Sequence, residues 1–339
     1  MKIYFDEPVL DISNAFAVGK AIRSHQISTA AYATIRKFEK ACAEYLGVDD
    51  CIATNSGTSA LHLAYIASGV KRVTMPVLSF VATANAAKYA GVEIEFCDVD
   101  EDTWCGNITG IIKSDGVVLI PLYGSATVKA SFQTTESNLN MILDCAHIFG
   151  RIENLFTGTD KFYFCFSFNG NKTLTTGAGG LLVGPNLDQI REMIYPRTYD
   201  SLSYNYGMPG LNAALGLSQL PYIDTYNKQK SKFNQIYREE LGDFLTFQKT
   251  DDFQCWMVAA LWPQVPEVID IEEIQIKLAY KDIPTRRIFK PMNQYRHLQD
   301  GKYYPVAEDI YRRGLVLPTS CRNTEKEIMY VCKVIKEIS

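Results

Sequence analysis

The chain has 339 residues, more than one compact core usually absorbs, so two packed units are expected. Hydrophobic residues make up 47% and charged residues 21%, which excludes a disordered or low-complexity protein. The 34 basic and 38 acidic side chains sum to −4 without a basic run, an argument against a nucleic-acid or anionic-membrane partner. Nine cysteines, none in a C-x-x-C pair, read as reduced thiols of a cytoplasmic protein. Histidines stand far apart at His25, His62, His147 and His297, so no metal site is expected. The opening Met1-Lys-Ile-Tyr-Phe-Asp-Glu-Pro8 puts two acids where a signal peptide needs apolar residues. The longest apolar runs, such as 116–122, are of strand length and cannot span a bilayer.

In chain order, Tyr32–Leu46 carries Ile35, Phe38, Cys42 and Tyr45 at helical spacing, with Gly47 as its stop. From about residue 50 to 185, β-rich runs starting at Cys51, Arg72, Glu93, Gly116, Asn140, Phe162 and Gly180 alternate with helical patterns such as 59–67 and 81–90. Continuous apolar strands separated by helices predict an α/β fold, a mostly parallel seven-stranded sheet sandwiched by helices. Residues 211–222 and 229–241 read as helices. From about 243 the texture changes to short strands, a stretch with Pro263, Pro266, Pro284 and Pro291, and a closing helix Glu325–Ile338. A boundary is therefore expected near 225–243, beside or inside a long helix, dividing a large unit (1–230) from a smaller α/β C-terminal unit (231–339).

Ligands of open α/β sheets bind at the carboxyl ends of the strands. The first such end runs into Asn55-Ser56-Gly57-Thr58-Ser59, where a glycine and hydroxyls open a helix; this is either a plain N-cap or a phosphate seat. A second ends in Asp144-Cys145-Ala146-His147. Asp144 either caps the next helix or is a dry carboxylate that keeps a ring nitrogen protonated. His147 is either a core histidine or a neighbour of the same ligand. A third contains Ser167 and leads into the Gly/Asn/Thr-rich loop that carries Lys172. A buried lysine there has a lowered pKa and attacks carbonyls. Phe80 follows a fourth strand end, as a core aromatic or as a plate for a flat ring. Together these features fit pyridoxal phosphate, with its aldehyde, pyridinium and phosphate.

The ordered segments Asn55-Ser-Gly-Thr-Ser-Ala-Leu61, Pro76-Val-Leu-Ser-Phe80, Asp144-Cys-Ala-His147, Phe166-Ser-Phe-Asn-Gly-Asn-Lys172, Tyr204-Asn-Tyr-Gly-Met-Pro209 and Ile283-Pro-Thr-Arg-Arg-Ile-Phe-Lys-Pro-Met292 resemble the DegT/DnrJ/StrS family of nucleotide-sugar aminotransferases. That resemblance covers nearly the whole chain and implies fold type I. It also implies that Lys172 condenses with the cofactor aldehyde, Asp144 pairs with the pyridinium, Phe80 stacks on the ring and His147 sits by its phenolic oxygen. Gly57, Thr58, Ser59 and Ser167 would hold the phosphate. Asn205 would serve the phosphate of a neighbouring subunit, which implies a homodimer with shared active sites. Members that dehydrate sugars carry histidine in place of the lysine, so Lys172 implies amino transfer.

Residues 170–172 and 285–292 look most like members that aminate C4 of a 4-keto-6-deoxy sugar, with Arg286, Phe289 and Lys290 as candidate substrate contacts. The alternatives are amination at C3 of a 3-keto sugar or a non-catalytic descendant that keeps the fold. The chain departs from the family at Leu143, Ala178, Gly207 and Asn293, where members usually carry an acid, Glu, Arg and His.

Overall fold

The computed structural model describes residues 2–125, 130–134, 139–150, 162–198, 200–249, 254–263 and 270–338. Helices α1 (Ile12–Arg23) and α2 (Tyr32–Leu46) precede β1 (Ile52–Thr54). Then follow α3 (Gly57–Ser68), β2 (Arg72–Pro76), α4 (Ala82–Tyr89), β3 (Glu93–Cys97), β4 (Ile108–Ile112) and β5 (Gly116–Leu119). The unit continues with β6 (Ala130–Thr134), β7 (Asn140–Asp144), β8 (Phe162–Ser167), β9 (Gly180–Val183), α5 (Leu187–Ile194) and α6 (Gly210–Gln219).

Seven of these strands form one sheet in the order β1-β9-β8-β7-β5-β2-β3, while β4 and β6 pair separately. Within the large sheet every pairing is parallel except the two made by β9. The apolar runs are buried on both sides because successive side chains point to opposite faces. In β8, Tyr163 and Cys165 enter the core beneath α3, whereas Phe164 and Phe166 enter the core beneath α2 and α6.

Helix α7 (Ile223–Leu241) joins the two units. Its Ile223 lies in the α2-side core of the large sheet, while Phe233, Ile236 and Tyr237 lie in a third core. That core is built from β10 (Thr246–Phe247), β11 (Val258–Leu261), α8 (Ile271–Ala279), β13 (Gly314–Leu317) and α10 (Glu325–Ile338), with β12 (Arg286–Arg287) completing the sheet and α9 (Pro305–Arg313) turning Ala307 and Ile310 into the core beneath α3. The four strands form an antiparallel sheet in the order β10-β11-β13-β12. Ile3, from the other end of the chain, is buried in this third core as well.

Four local features differ from expectation. The run from Gly116 stops as a strand at Leu119 and turns through Leu122–Gly124, with Tyr123 left-handed at φ 55°. The helix from 211 gives way to a 3₁₀ turn at Leu220–Tyr222 around Pro221. Helix α1 was not legible because its apolar residues Ile12, Phe16 and Ile22 face solvent. Helices α8 and α9 hide among prolines; Asp270 caps one and Pro305 opens the other.

Candidate active site

One cleft of about 360 Å³ lies at the carboxyl ends of the large sheet, closed on its far side by the small unit. Its floor begins where β1 meets α3. Ser56 is the N-cap, accepting from the Ser59 amide at 3.1 Å. The hydroxyls of Ser56 and Ser59 are 2.9 Å apart, and Ser59 donates to Asn55 Oδ1 at 2.7 Å. Ser59 is thereby committed to the cap, while Ser56, Gly57, Thr58 and Ser167 line the cleft. Amides of a first helical turn have no partner within the helix, so this end offers donors and a positive dipole to an anion. Gly57 is required by proximity: a Cβ there would stand 2.9 Å from Ser167 Cβ. Gly180 is tighter still, with the Ser56 carbonyl carbon 2.5 Å from its would-be Cβ.

Asp144, at the end of β7, is 6% exposed. Thr83 Oγ1 donates to one carboxylate oxygen at 2.5 Å, and the Ala146 amide to the other at 3.1 Å. Burial raises its pKa, partly offset by those two donors and by Lys172. Lys172 lines the same cleft with its Nζ 3.4 Å from the centre of the Trp256 ring. Burial pulls its pKa down to about 7, assisted by Lys230 and opposed by Asp144 and Asp6. An amine with that pKa has a free electron pair in a large fraction of molecules at neutral pH.

His147 is buried, and its Nδ1 accepts from the Tyr123 amide at 3.1 Å, which leaves its mobile proton on Nε2. Burial, and next the Lys172 charge, hold the imidazole well below its ordinary pKa, so the ring is neutral. The unusual φ of Tyr123 turns its amide toward His147, and backbone strain of this kind gathers at functional sites. Tyr123 also accepts from the Trp256 amide through its carbonyl and from the Phe289 amide through its hydroxyl.

The rings of His147 and Trp256 stack at 4.2 Å, and Phe289 lies parallel to Tyr123 at 5.4 Å. Phe80 faces Phe289 across 5.9 Å and is 55% exposed, an aromatic face left open in the cleft. Sequence reasoning had found His147, Phe80 and Phe289 but missed Trp256, which sits in an ordinary-looking apolar run ahead of β11. It also missed Asp6, which accepts from Asn171, the residue before Lys172, and from Arg286 at 2.8 Å.

Of the candidate substrate contacts, Arg286 and Phe289 line the cleft, whereas Lys290 lies outside it with its ammonium over the Tyr295 ring. Arg287 also lines it, but its guanidinium is turned to Glu272 and the Tyr311 carbonyl. Asn205 is exposed and outside this cleft; its carbonyl accepts from Asn55.

The profile of the DegT/DnrJ/EryC1/StrS aminotransferase family matches residues 11–336. The chain is 33% identical over 329 residues to GDP-perosamine synthase of Escherichia coli O157:H7, covering 89% of each. It is 31% identical over 365 residues to the UDP-4-amino-4,6-dideoxy-N-acetyl-beta-L-altrosamine transaminase of Campylobacter jejuni, covering 97% of this chain and 95% of that one. This chain belongs to the DegT/DnrJ/EryC1/StrS aminotransferase family. It is a pyridoxal-phosphate-dependent aminotransferase. Its fold is that of Helicobacter pylori PseC, an aminotransferase of pseudoaminic acid biosynthesis, with a TM-score of 0.86, 22% identity and 99% of each chain covered.

The cleft fits this cofactor on its own geometry. Gly57, with no room for a Cβ beside Ser167, brings the first-turn amides of α3 together with the Thr58 and Ser167 hydroxyls in the cleft, a seat for the phosphate. Phe80 offers a ring face, Asp144 a dry carboxylate for the ring nitrogen, and Lys172 an amine of lowered basicity for the aldehyde. Of the four departures from the family pattern, only Ala178 opens into the cleft. Leu143 is core, and Asn293 is buried, donating to the Lys302 carbonyl. A Cβ at Gly207 would stand 2.6 Å from the Tyr195 hydroxyl, so that tyrosine takes up the space of a larger side chain.

Proposed function

We propose that this family member moves an amino group from an amino acid, L-glutamate first among candidates, to C4 of a nucleotide-linked 4-keto-6-deoxy sugar. The observation that carries the chemistry is the pairing in one cleft of a lysine at pKa about 7 with a buried carboxylate. The C4 position is supported by relatives named GDP-perosamine synthase in three organisms and dTDP-4-amino-4,6-dideoxy-D-glucose transaminase in Shigella dysenteriae.

Pyridoxal phosphate, when bound, supplies an aldehyde that takes up the amino group and a ring that withdraws electrons. The chain supplies positioning and proton transfer. Thr58, Ser167 and the amides at the start of α3, from Gly57 on, would hold the phosphate, and Phe80 would cover one ring face. Asp144, kept oriented by Thr83 and Ala146, would keep the ring nitrogen protonated. Lys172 would remove the donor's α-proton and return a proton to the sugar carbon, a base matched to neutral pH. His147 would donate from Nε2 to the phenolic oxygen, its tautomer set by the Tyr123 amide. Arg286, held at Asp6 beside Asn171, would meet substrate anions at the cleft mouth.

The reading further takes the enzyme as a cytoplasmic homodimer in which Asn205 completes the phosphate site of the other subunit. Exposure of Asn205 outside its own cleft supports this arrangement, as does the exposed apolar face of α1. Among the described residues no helix is long and apolar enough to cross a membrane.

The test offers purified enzyme 4-keto and 3-keto nucleotide sugars with glutamate. A product with the mass and carbon connectivity of a 4-amino sugar is expected. Amination at C3 alone would refute the C4 assignment, and a protein that takes up no cofactor would refute the catalytic reading.

A further inference from the structure

Lys230, in the middle of α7, is a charged side chain buried away from the cleft at 4% exposure. Its ammonium donates to the Trp256 carbonyl at 2.8 Å and to the Thr319 carbonyl at 2.9 Å. Among the described residues no carboxylate lies within ion-pair distance of it. A buried ammonium without a counter-charge is costly, and an apolar residue would fill the same space at less expense.

What Lys230 grips explains its presence. Trp256 precedes β11 and Thr319 follows β13, the two central strands of the small sheet, so one side chain ties both to the helix that joins the units. Trp256 carries the grip into the site. Its indole stacks on His147 at 4.2 Å, donates from Nε1 to the Asn171 carbonyl at 2.9 Å, and lies 3.4 Å beneath the Lys172 amine.

We propose that Lys230 is a positioning residue for the Lys172 amine, acting through the Trp256 carbonyl that it holds. The inference rests on Lys172 being the reactive amine and adds a device that sets its place. Other charged or titratable groups also face Lys172: Asp144 from β7, Asp6 from the N-terminal segment with Arg286 behind it, and the neutral His147. Lys230 is the like charge that acts on Lys172 directly, and it favours the unprotonated amine.

The experiment uses the cofactor-free protein, so that substrate identity plays no part. Trace acetic anhydride, with peptide mapping of Lys172 across pH, reads the amine. Tryptophan emission and its quenching by acrylamide, taken as the difference from a W256F background, read the indole. In K230M, Lys172 should titrate at higher pH, its labelling at neutral pH falling about threefold, and Trp256 should become more accessible to quencher. K230R, which keeps the charge and the donors, should restore both readouts. Should K230M fail to fold, K230Q keeps a donor without the charge and should hold the indole in place, with Trp256 quenching as in the unsubstituted protein.

Unchanged Trp256 quenching or unchanged Lys172 titration in K230M would overturn the proposal, as would a freed indole in K230Q or failure of K230R to restore both readouts. An ordinary lysine titration at position 172 in the unsubstituted protein is a different result. It would remove the reading of Lys172 itself, and this inference with it.

Discussion

The inner and outer halves of the cleft are built by different means. The inner half rests on the ends of β1, β7 and β8 and the first turn of α3, all anchored in one sheet whose core residues are almost wholly buried. The outer half is assembled from distant stretches: Phe5, the loop at Asn171, Trp256 and β12, with Asp6 behind Asn171 and Arg286. Strand ends fix a side chain through the ladder of backbone bonds in the sheet, whereas the outer wall depends on single contacts such as Asp6 with Arg286 and Lys230 with Trp256. On the function proposed above, the cofactor would be held by rigid parts and the substrate met by parts that can be exchanged without rebuilding the sheet.

The contrast is broken most directly from the inner side. Lys172→Ala should lower turnover by at least ~10⁴-fold while leaving the fold intact, because both proton transfers and the bond to the cofactor lose their amine. Full activity in single-turnover assays of that variant would remove Lys172 from the chemistry. Next in size is Asp144→Asn, which keeps the shape but not the charge. It should slow proton transfer by about 10²–10⁴-fold with little effect on KM for the sugar, and an effect on KM alone would contradict the pairing.

A steric test follows. Gly57→Ala inserts a Cβ 2.9 Å from Ser167 Cβ and 3.3 Å from the Phe166 carbonyl. Overpacking of this kind costs about 1–3 kcal/mol, so cofactor affinity, read by equilibrium dialysis, should fall by roughly 10- to 100-fold. Unaltered affinity would show that the phosphate sits elsewhere. Smaller again is Phe80→Leu, where loss of an aromatic plate worth about 0.5–1.5 kcal/mol should weaken cofactor binding two- to tenfold at the order of magnitude.

The same contrast decides how much was legible in the sequence. Lys172, Asp144 and the Gly57–Thr58 turn stand immediately after apolar strands, so period and position alone brought them to one edge of a sheet. Ser59 shares the motif, yet its hydroxyl is spent on Asn55 and Ser56, a choice between cap and ligand that only side-chain geometry makes. Trp256 and Asp6 carried no local mark: one lies in an apolar run, the other 165 residues from Asn171 and 280 from Arg286. Tyr123 needed a left-handed φ that sequence does not announce in a tyrosine. Lys290 was drawn in by its neighbours Arg286 and Phe289, but the chain turns after Phe289 and carries it to Tyr295.

The last test sharpens the comparison through stability rather than rate. With no cofactor present, Lys172 has a pKa of about 7 in the folded chain against the ordinary 10.5 when unfolded. Between those values the unfolded state binds the extra proton, so this group makes stability rise with pH across the window and contributes nothing further above it. Asp144, raised by burial, works in the opposite sense and in a lower range, where the folded state holds the extra proton. Lys172→Met should therefore raise the melting temperature of the cofactor-free protein near neutrality, with the two melting curves converging toward about pH 10. Substitution of the exposed Arg286 in the outer half should leave that pH slope unchanged. Parallel curves for Lys172→Met and the unsubstituted protein would mean that the amine is solvated rather than dry, and the inner half would then be no more preorganised than the outer.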